Sequence, residues 1–415
     1  MISVRLLNSK PVMLNVFRRT FSQVSGLNDV IIASYVRTPI IPFLGAMASV
    51  PAPKLGSVVI TEALKKAGIS SEDVQEVYMG NVLQAASGQA PTRQALLGAG
   101  LPISTPATTV NKVCASGMKS VMMAAQSLMC GHQEVMIAGG MESMSNVPLY
   151  MLRSGTPYGG VKLLDGIVFD GLTDAYDHIH MGNCAEDTAK KYDISRAEQD
   201  EHAVMSYKRS QKACDEGILA AEITPVQIPK KKGETVTISK DEELHKMKLD
   251  KVPSLRPVFQ KAEGTVTVAN SSKLDDGAAA MVLMTAQAAD RLKVKPLARI
   301  VGFADAAKNP IDFPTAPAVA MEKLLAQFGK NVSDISMWEI NEAFSVVVLA
   351  CNKLMGLDPA KVNIHGGAVS LGHPIGMSGT RITGRMALNL KPGELGVAGI
   401  CNGGGGASAI MIEGL

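Results

Sequence analysis

The sequence predicts an α/β protein built from two similar halves, on three observations. Apolar runs of strand length alternate with runs of helical spacing. The order of those runs recurs late in the chain. At 415 residues and 46% apolar content, the chain exceeds one ordinary domain and has the material for two or three compact units. Taken in order, Val30–Val36 reads as a buried strand, Pro53–Gly68 as a helix and Val74–Met79 as a strand. Val113–Met129, rich in Ala, Ser and Met, reads as a buried helix, followed by a strand at Glu134–Ala138 and a turn at Gly139-Gly140. The late counterpart runs as a strand at Ile335–Ile340, a helix from Phe344, a glycine-rich turn, a helix from Gly376, a strand at Leu395–Ile400 and the glycines Gly403–Gly406.

Laying one half over the other sets Cys114-x-x-Gly117-Met118 opposite His373-x-x-Gly376-Met377, and Gly139-Gly140 near Gly403-Gly404. Such self-similarity predicts duplicated domains packed face to face. Equivalent helix starts would then bring one cysteine and one histidine to a common seam. The halves span about 29–290 and 291–415, and the first carries an insertion at about 146–272. That insertion holds an amphipathic helical stretch from Cys184 to Glu216. Its charged segment concentrates Lys230, Lys231, Lys232, Lys246, Lys248 and Lys251, which also read as an ordinary solvated face.

With 41 basic against 38 acidic residues, the net charge of +3 is too balanced to imply nucleic-acid binding as the main activity. The six cysteines show no CxxC spacing, which argues against zinc and disulfides and for a reducing compartment. No apolar run reaches the ~20 residues of a membrane helix, so no membrane partner is expected. Residues 1–28 carry Arg5, Lys10, Arg18 and Arg19 and no acidic residue, the composition of a mitochondrial transit peptide directing the chain to the matrix.

Three segments carry chemistry. Cys114, in Asn111–Met118, stands at a predicted helix start, where unpaired N–H groups and the positive helix end favour thiolate over thiol. A free cysteine is also, more commonly, a small buried apolar side chain. His373, before Pro374 at another predicted helix start, projects from its loop and can take a thiol proton. His365 could compete, although beside Gly366-Gly367 it reads more simply as a turn residue. Cys401-Asn402-Gly403-Gly404-Gly405-Gly406 follows an apolar strand, so its glycines read as backbone brought close to a ligand with N–H groups turned toward it, not as a linker.

Val113-Cys114-Ala115-Ser116-Gly117, Gly372-His373-Pro374-Ile375-Gly376 and Cys401–Gly406 resemble the three signature segments of the thiolase family. Gln89–Gln94, Gly139–Ser145 and Asn341-Glu342-Ala343-Phe344 extend the resemblance, which runs from about Val30 to Leu415. It implies two βαβαβαββ-type halves packed as a five-layered αβαβα sandwich with an inserted loop domain. It implies Cys114 as the acylated nucleophile, His373 as its base and Cys401 as the second acid/base. It places one oxyanion site at His373 with a water held by Asn341, and the other at the N–H groups of Cys114 and Gly403. The reaction implied is reversible Claisen condensation of two acetyl-CoA, and cleavage of acetoacetyl-CoA, with acyl-CoA and coenzyme A as substrates and no covalently bound cofactor.

By the same resemblance Tyr207, Lys246, Met247, Lys248, Lys251 and Ser272 neighbour coenzyme A, and His180 stands beside the thioester. Asp312-Phe313-Pro314 is similar to the branch of the family that also accepts 2-methylacetoacetyl-CoA. That branch binds potassium near Tyr207, Val268, Ala269, Ser271 and Val369, mostly through backbone oxygens. Val268 and Ser271 stand here where alanines are usual, His365 replaces an Asn and Thr380 an Ala. A homotetramer is the assembly implied. The alternatives are a thiolase of fatty-acid oxidation, against which Phe313-Pro314 argues; a condensing synthase or an unrelated Cys-His hydrolase, neither of which needs Cys401; and a non-catalytic carrier, which would not keep Cys114, His373 and Cys401 together.

Overall fold

A computed structural model describes residues 26–153, 158–230 and 233–415. The predicted transit peptide lies outside these residues as far as residue 25, as do Lys231 and Lys232. The first half runs β1 (Val30–Arg37), the short β2 (Ile41–Pro42), α1 (Ala52–Ala67), β3 (Glu76–Gly80), α2 (Pro91–Gly98), β4 (Ala107–Val110), α3 (Ser116–Met129) and β5 (Val135–Ser143). An insertion follows with the two-residue strands β6 (Leu149–Tyr150) and β7 (Leu164–Asp165), α4 (Met181–Lys191), α5 (Arg196–Asp215) and the antiparallel pair β8 (Val226–Pro229) and β9 (Thr235–Ile238). The strand β10 (Asp275–Thr285) closes the half and leads into α6 (Ala286–Leu292). The second half runs β11 (Ala298–Ala307), α7 (Ala316–Phe328), β12 (Ile335–Ile340), α8 (Ser345–Met355), the one-turn α9 (Ala368–Leu371), α10 (Ser378–Asn389), β13 (Leu395–Asn402) and β14 (Gly406–Gly414).

The duplication shows in the pairing. In the first half β1 and β10 are antiparallel, as are β10 and β5, while β5, β3 and β4 are parallel. In the second, β11 and β14, then β14 and β13, are antiparallel, and β13 and β12 are parallel. A parallel bridge from Trp338 to Val362 stands where β4 stands in the first half. Among the described residues the two sheets pair at Ile31 opposite Arg299 and Ile32 opposite Ala298.

Each strand feeds two cores, because successive side chains point to opposite faces. Val30, Ile32 and Tyr35 of β1 join the central core, whereas Ile31, Ala33 and Val36 join the outer core under α1. In β14, Ile410 and Ile412 face the centre while Ala409 and Met411 face the outer core with α7 and α8. Three apolar cores separated by two sheets make the five layers, with α3 and α10 crossing in the middle one. In that middle layer α3 buries Met118, Val121, Met122, Ala125 and Leu128.

Several sequence expectations need correction. Gly139-Gly140 is not a turn: β5 runs through it, because a Cβ on Gly140 would lie 2.0 Å from the Gly376 carbonyl oxygen, so these glycines serve close approach and not reversal. The stretch Cys184–Glu216 is two helices, broken where Asp193 takes a positive φ of 49° and Ser195 opens α5 with a capping box to Glu198. The helix expected from Gly376 starts at Ser378, and that expected from Val113 starts at Ser116. Cys114 therefore sits two residues before its helix and His373 five before its own, and the two positions are not equivalent helix starts.

The α3–α10 crossing depends on glycine: a Cβ on Gly379 would stand 2.5 Å from the Met118 backbone nitrogen. Alanine favours a helix over glycine by ~1 kcal/mol, but here steric overlap dominates. Gly379→Ala is expected to destabilise by about 1–3 kcal/mol, and thermal unfolding checks it; a raised melting temperature would contradict the crossing as described.

Candidate active site

The loop from β4 into α3 turns sharply. Val113 takes φ 47°, its N–H donates to Asn111 Oδ1 at 3.0 Å, and Ser116 Oγ donates to the Val113 carbonyl at 2.6 Å while accepting from the Lys112 N–H at 2.8 Å. This turn presents Cys114 to a cavity of about 340 Å³ that His373 and Gly403 also line. The N–H groups of Gly403 and of Cys114 itself point at the thiol. Burial outweighs them and pushes the Cys114 thiol up to about 11, which overturns the expectation of a helix-stabilised thiolate. With no full helix turn adjoining the sulfur, the desolvation cost wins, and the Glu142 carboxylate adds to it.

His373 is buried, and burial pushes its imidazole down to about 3, so it rests neutral. Its tautomer follows from the bonds around it. Ser378 Oγ donates to the Pro374 carbonyl at 3.1 Å and so accepts from His373 Nδ1–H at 2.6 Å, leaving Nε2 unprotonated, with Asn341 Nδ2 3.4 Å away. Asn341 Oδ1 is buried without a partner among the described residues. The first half holds this loop. Asp275 Oδ2 accepts the His373 N–H at 2.8 Å, and Glu142 accepts from Gly376 N–H at 2.9 Å, from the N–H groups of Val82 and Leu83 at 3.1 Å each and from Asn81 Nδ2 at 2.8 Å. On the other side Lys112 and Lys119 both pair with Asp305 of β11, and Lys112 Nζ also donates to Ser408 Oγ at 2.8 Å.

Cys401, the penultimate residue of β13, is fully buried; burial raises its thiol well above the usual range, and the charge of a Cys114 thiolate would raise it further. Phe313, 2% exposed, walls the cavity together with Phe259 and Phe344. His180 lines it too, its Nδ1 accepting from Gly182 N–H at 3.1 Å and its ring lying against Phe259 at 4.9 Å between centroids. Ser272 lines it, but Tyr207, Lys246, Met247, Lys248 and Lys251 do not. Tyr207 is buried in α5 and Met247 packs on it, while Lys246, Lys248 and Lys251 are exposed. His365 faces a separate cleft with Arg209 and Lys212, away from Cys114.

Two of the predicted potassium ligands already accept from a side chain of this protein. Lys273 Nζ donates to the carbonyl oxygens of Ser271 at 2.8 Å and Val369 at 3.2 Å and stands 5.7 Å from the centre of the Tyr207 ring. A second cation within ~4 Å of that ammonium would cost about 4 kcal/mol at an effective dielectric of 20. Val268, moreover, is 49% exposed. Burial draws Lys273 down to about 8 against the pull of Glu243, Asp275 and Glu342, which leaves it a cation at neutral pH.

Sequence reasoning found Cys114, His373, Cys401, Asn341 and Gly403 but gave no role to Glu142, Asp275, Ser378, Phe259 or Lys273. Glu142 stood inside a quoted family-like stretch; nothing in spacing marked the others.

Two family models match the chain: thiolase, N-terminal domain, over residues 30–287, and thiolase, C-terminal domain, over residues 294–414. The mitochondrial acetyl-CoA acetyltransferase of Mus musculus is 66% identical over 95% of this chain and 93% of its own length. The Homo sapiens protein of the same description is 62% identical over 95% and 92%. A crystal structure of Acat5 thiolase from Ascaris suum in complex with coenzyme A superposes with a TM-score of 0.90 at 45% identity, covering 93% of this chain and all of that one.

A neutral thiol beside a neutral imidazole has two measurable consequences. Inactivation by iodoacetamide, with modification at Cys114 followed by mass, is expected to accelerate roughly tenfold per pH unit from 7 to 10, and a plateau below pH 8 would contradict it. In the unfolded chain His373 binds a proton near 6.5 and in the folded one near 3, so stability is lost as pH falls from 6.5 to 3. His373→Gln should flatten that part of the stability curve.

Proposed function

The chain belongs to the thiolase family, and from that premise we propose how its residues carry the reaction. It is an acyltransferase, an acetyl-CoA acetyltransferase, and it is mitochondrial. In our reading it works in the matrix, on coenzyme A thioesters, in both directions. The observation that carries the catalytic assignment is Cys114, unprotonated His373 Nε2 and the Gly403 N–H converging on one largely apolar cavity.

In cleavage, His373 Nε2 takes the Cys114 proton while Sγ bonds to the C3 carbonyl carbon of acetoacetyl-CoA. Because the thiol is held near 11, thiolate forms only as the attack proceeds. The C2–C3 bond then breaks, its electron pair passes to the departing acetyl-CoA, and Cys401 supplies the proton to that carbon. Cys114 is left acetylated. The imidazolium restores the Cys401 proton, the coenzyme A thiol gives its proton to His373 and attacks the acetyl carbonyl, and a second acetyl-CoA leaves as Cys114 regains its proton. Condensation is the reverse. The N–H groups of Cys114 and Gly403 serve the oxyanion of the acyl-cysteine steps; His373 and Asn341 serve the thioester enolate.

Phe313 in the cavity wall supports short acyl groups, 2-methylacetoacetyl-CoA among them, over long chains. Ser272 and His180 meet the thioester arm of coenzyme A, while Tyr207, Lys246, Met247, Lys248 and Lys251 form the outer approach, the three exposed lysines suiting its phosphates. Exposed Leu149, Met151, Leu152, Val161 and Leu163 in the insertion support self-association, for which a homotetramer is our reading.

Thiolysis of acetoacetyl-CoA and its 2-methyl analogue tests this. Cys114→Ala should abolish both activities, and His373→Ala should lower kcat/KM at least about 100-fold. Cys401→Ala should still exchange acetyl groups between acetyl-CoA and coenzyme A but lose carbon–carbon cleavage. Cleavage by Cys401→Ala at the wild-type rate would remove its assigned role.

A further inference from the structure

Among the described residues, the half-buried Lys273 is a cation at the seam that no ion pair accounts for. Lys273 Nζ has no carboxylate within ion-pairing distance; it bonds instead to two main-chain oxygens and faces one aromatic ring. A buried ammonium is costly unless its donors are met, so the arrangement invites an account.

The three partners come from three separate segments. Ser271 belongs to the strand-like segment before β10, and the next residue, Ser272, lines the cavity and donates its N–H to the Ala343 carbonyl at 3.0 Å. Val369 lies in the one-turn helix α9, which leads through Leu371 and Gly372 into His373. Tyr207 lies in α5 of the insertion. Glu342 already holds α9 from the other side by accepting the Val369 N–H at 3.1 Å. Val369 is thus clamped by an anion at its N–H and a cation at its carbonyl. Carbonyl oxygens and a ring face are also what a bare monovalent cation takes as ligands, and Glu243, Asp275 and Glu342 make the surroundings negative.

We propose that the Lys273 ammonium is a tethered monovalent cation, a positioning residue that joins Ser271, Val369 and the Tyr207 ring, so that this enzyme needs no potassium ion there. The side chain fills the place a free ion would occupy, and being covalently attached it is present at any salt composition. Lys273 lines the cavity beside Ser272, and it orders the wall there and the approach to His373. The consequence for activity rests on the thiolase reading above; the consequence for stability does not.

Thermal unfolding and thiolysis, each in potassium, sodium and choline chloride at equal ionic strength, test it with the full-length protein. Wild type should give the same Tm and the same KM in all three salts. In choline, Lys273→Ala should lose about 2–4 °C or more in Tm and raise KM about fivefold or more, and potassium or ammonium should restore both. Lys273→Met, which fills the space with an apolar chain, should stay impaired in every salt. A potassium-specific gain in wild-type Tm or KM would overturn the proposal, as would a folded Lys273→Ala indifferent to potassium and ammonium. Should neither variant fold, the wild-type comparison decides alone: a potassium-specific response refutes the proposal and its absence upholds it. A wild type that is salt-independent in Tm yet inactive would sink the thiolase reading and leave the tethered cation standing.

Discussion

Two buried carboxylates of the first half hold the histidine loop of the second, and the site depends on that grip. Asp275 takes the N–H of His373 itself and Glu142 takes that of Gly376. Neither acid has a basic side chain bonded to it. Burial pushes Asp275 well above the usual carboxylate range and Glu142 up to about 7, and the backbone donors offset part of that cost. The same bonds that seat the loop therefore join the halves, and the catalytic geometry cannot be relaxed without loosening the seam. Asp305 completes the frame from the opposite side, since Lys112 and Lys119, which flank Cys114, both reach across to it.

Burial sets the chemistry as much as the geometry does. A low-dielectric seam keeps both members of the Cys114–His373 pair uncharged at rest. A thiol, unlike a thiolate, is a poor target for oxidants and alkylating agents, so the nucleophile is quiet until a thioester carbonyl arrives to accept its electrons. Two cysteines raised mainly by burial can hold protons at neutral pH, which the carbon–carbon step requires of at least one of them.

Much of this was legible in the sequence. Alternating strand and helix runs are strong where both faces of a sheet are covered, and β1, β10 and β14 are covered on both. Cys114, His373, Cys401 and the Gly403–Gly406 run stood out because each combined a reactive or permissive residue with an improbable neighbourhood. What failed shares one cause: the deciding contact is distant in sequence. Gly139-Gly140 looks the same whether it reverses the chain or admits the Gly376 carbonyl from 236 residues away in numbering. The sign of the Cys114 shift turns on enclosure by the second half, and Lys273 shows its place only once Val369 and Tyr207 are beside it.

The bridge between Trp338 and Val362 has a further consequence. Trp338 is the only tryptophan in the chain, and it is 1% exposed in the outer core beneath α7 and α8. Intrinsic fluorescence of this protein is thus a one-sided reporter. It registers loosening of the second half and is silent on the first, where α1, α2 and the cysteine turn reside. A spectroscopist following emission alone would watch the base's half of the molecule and be blind to the nucleophile's.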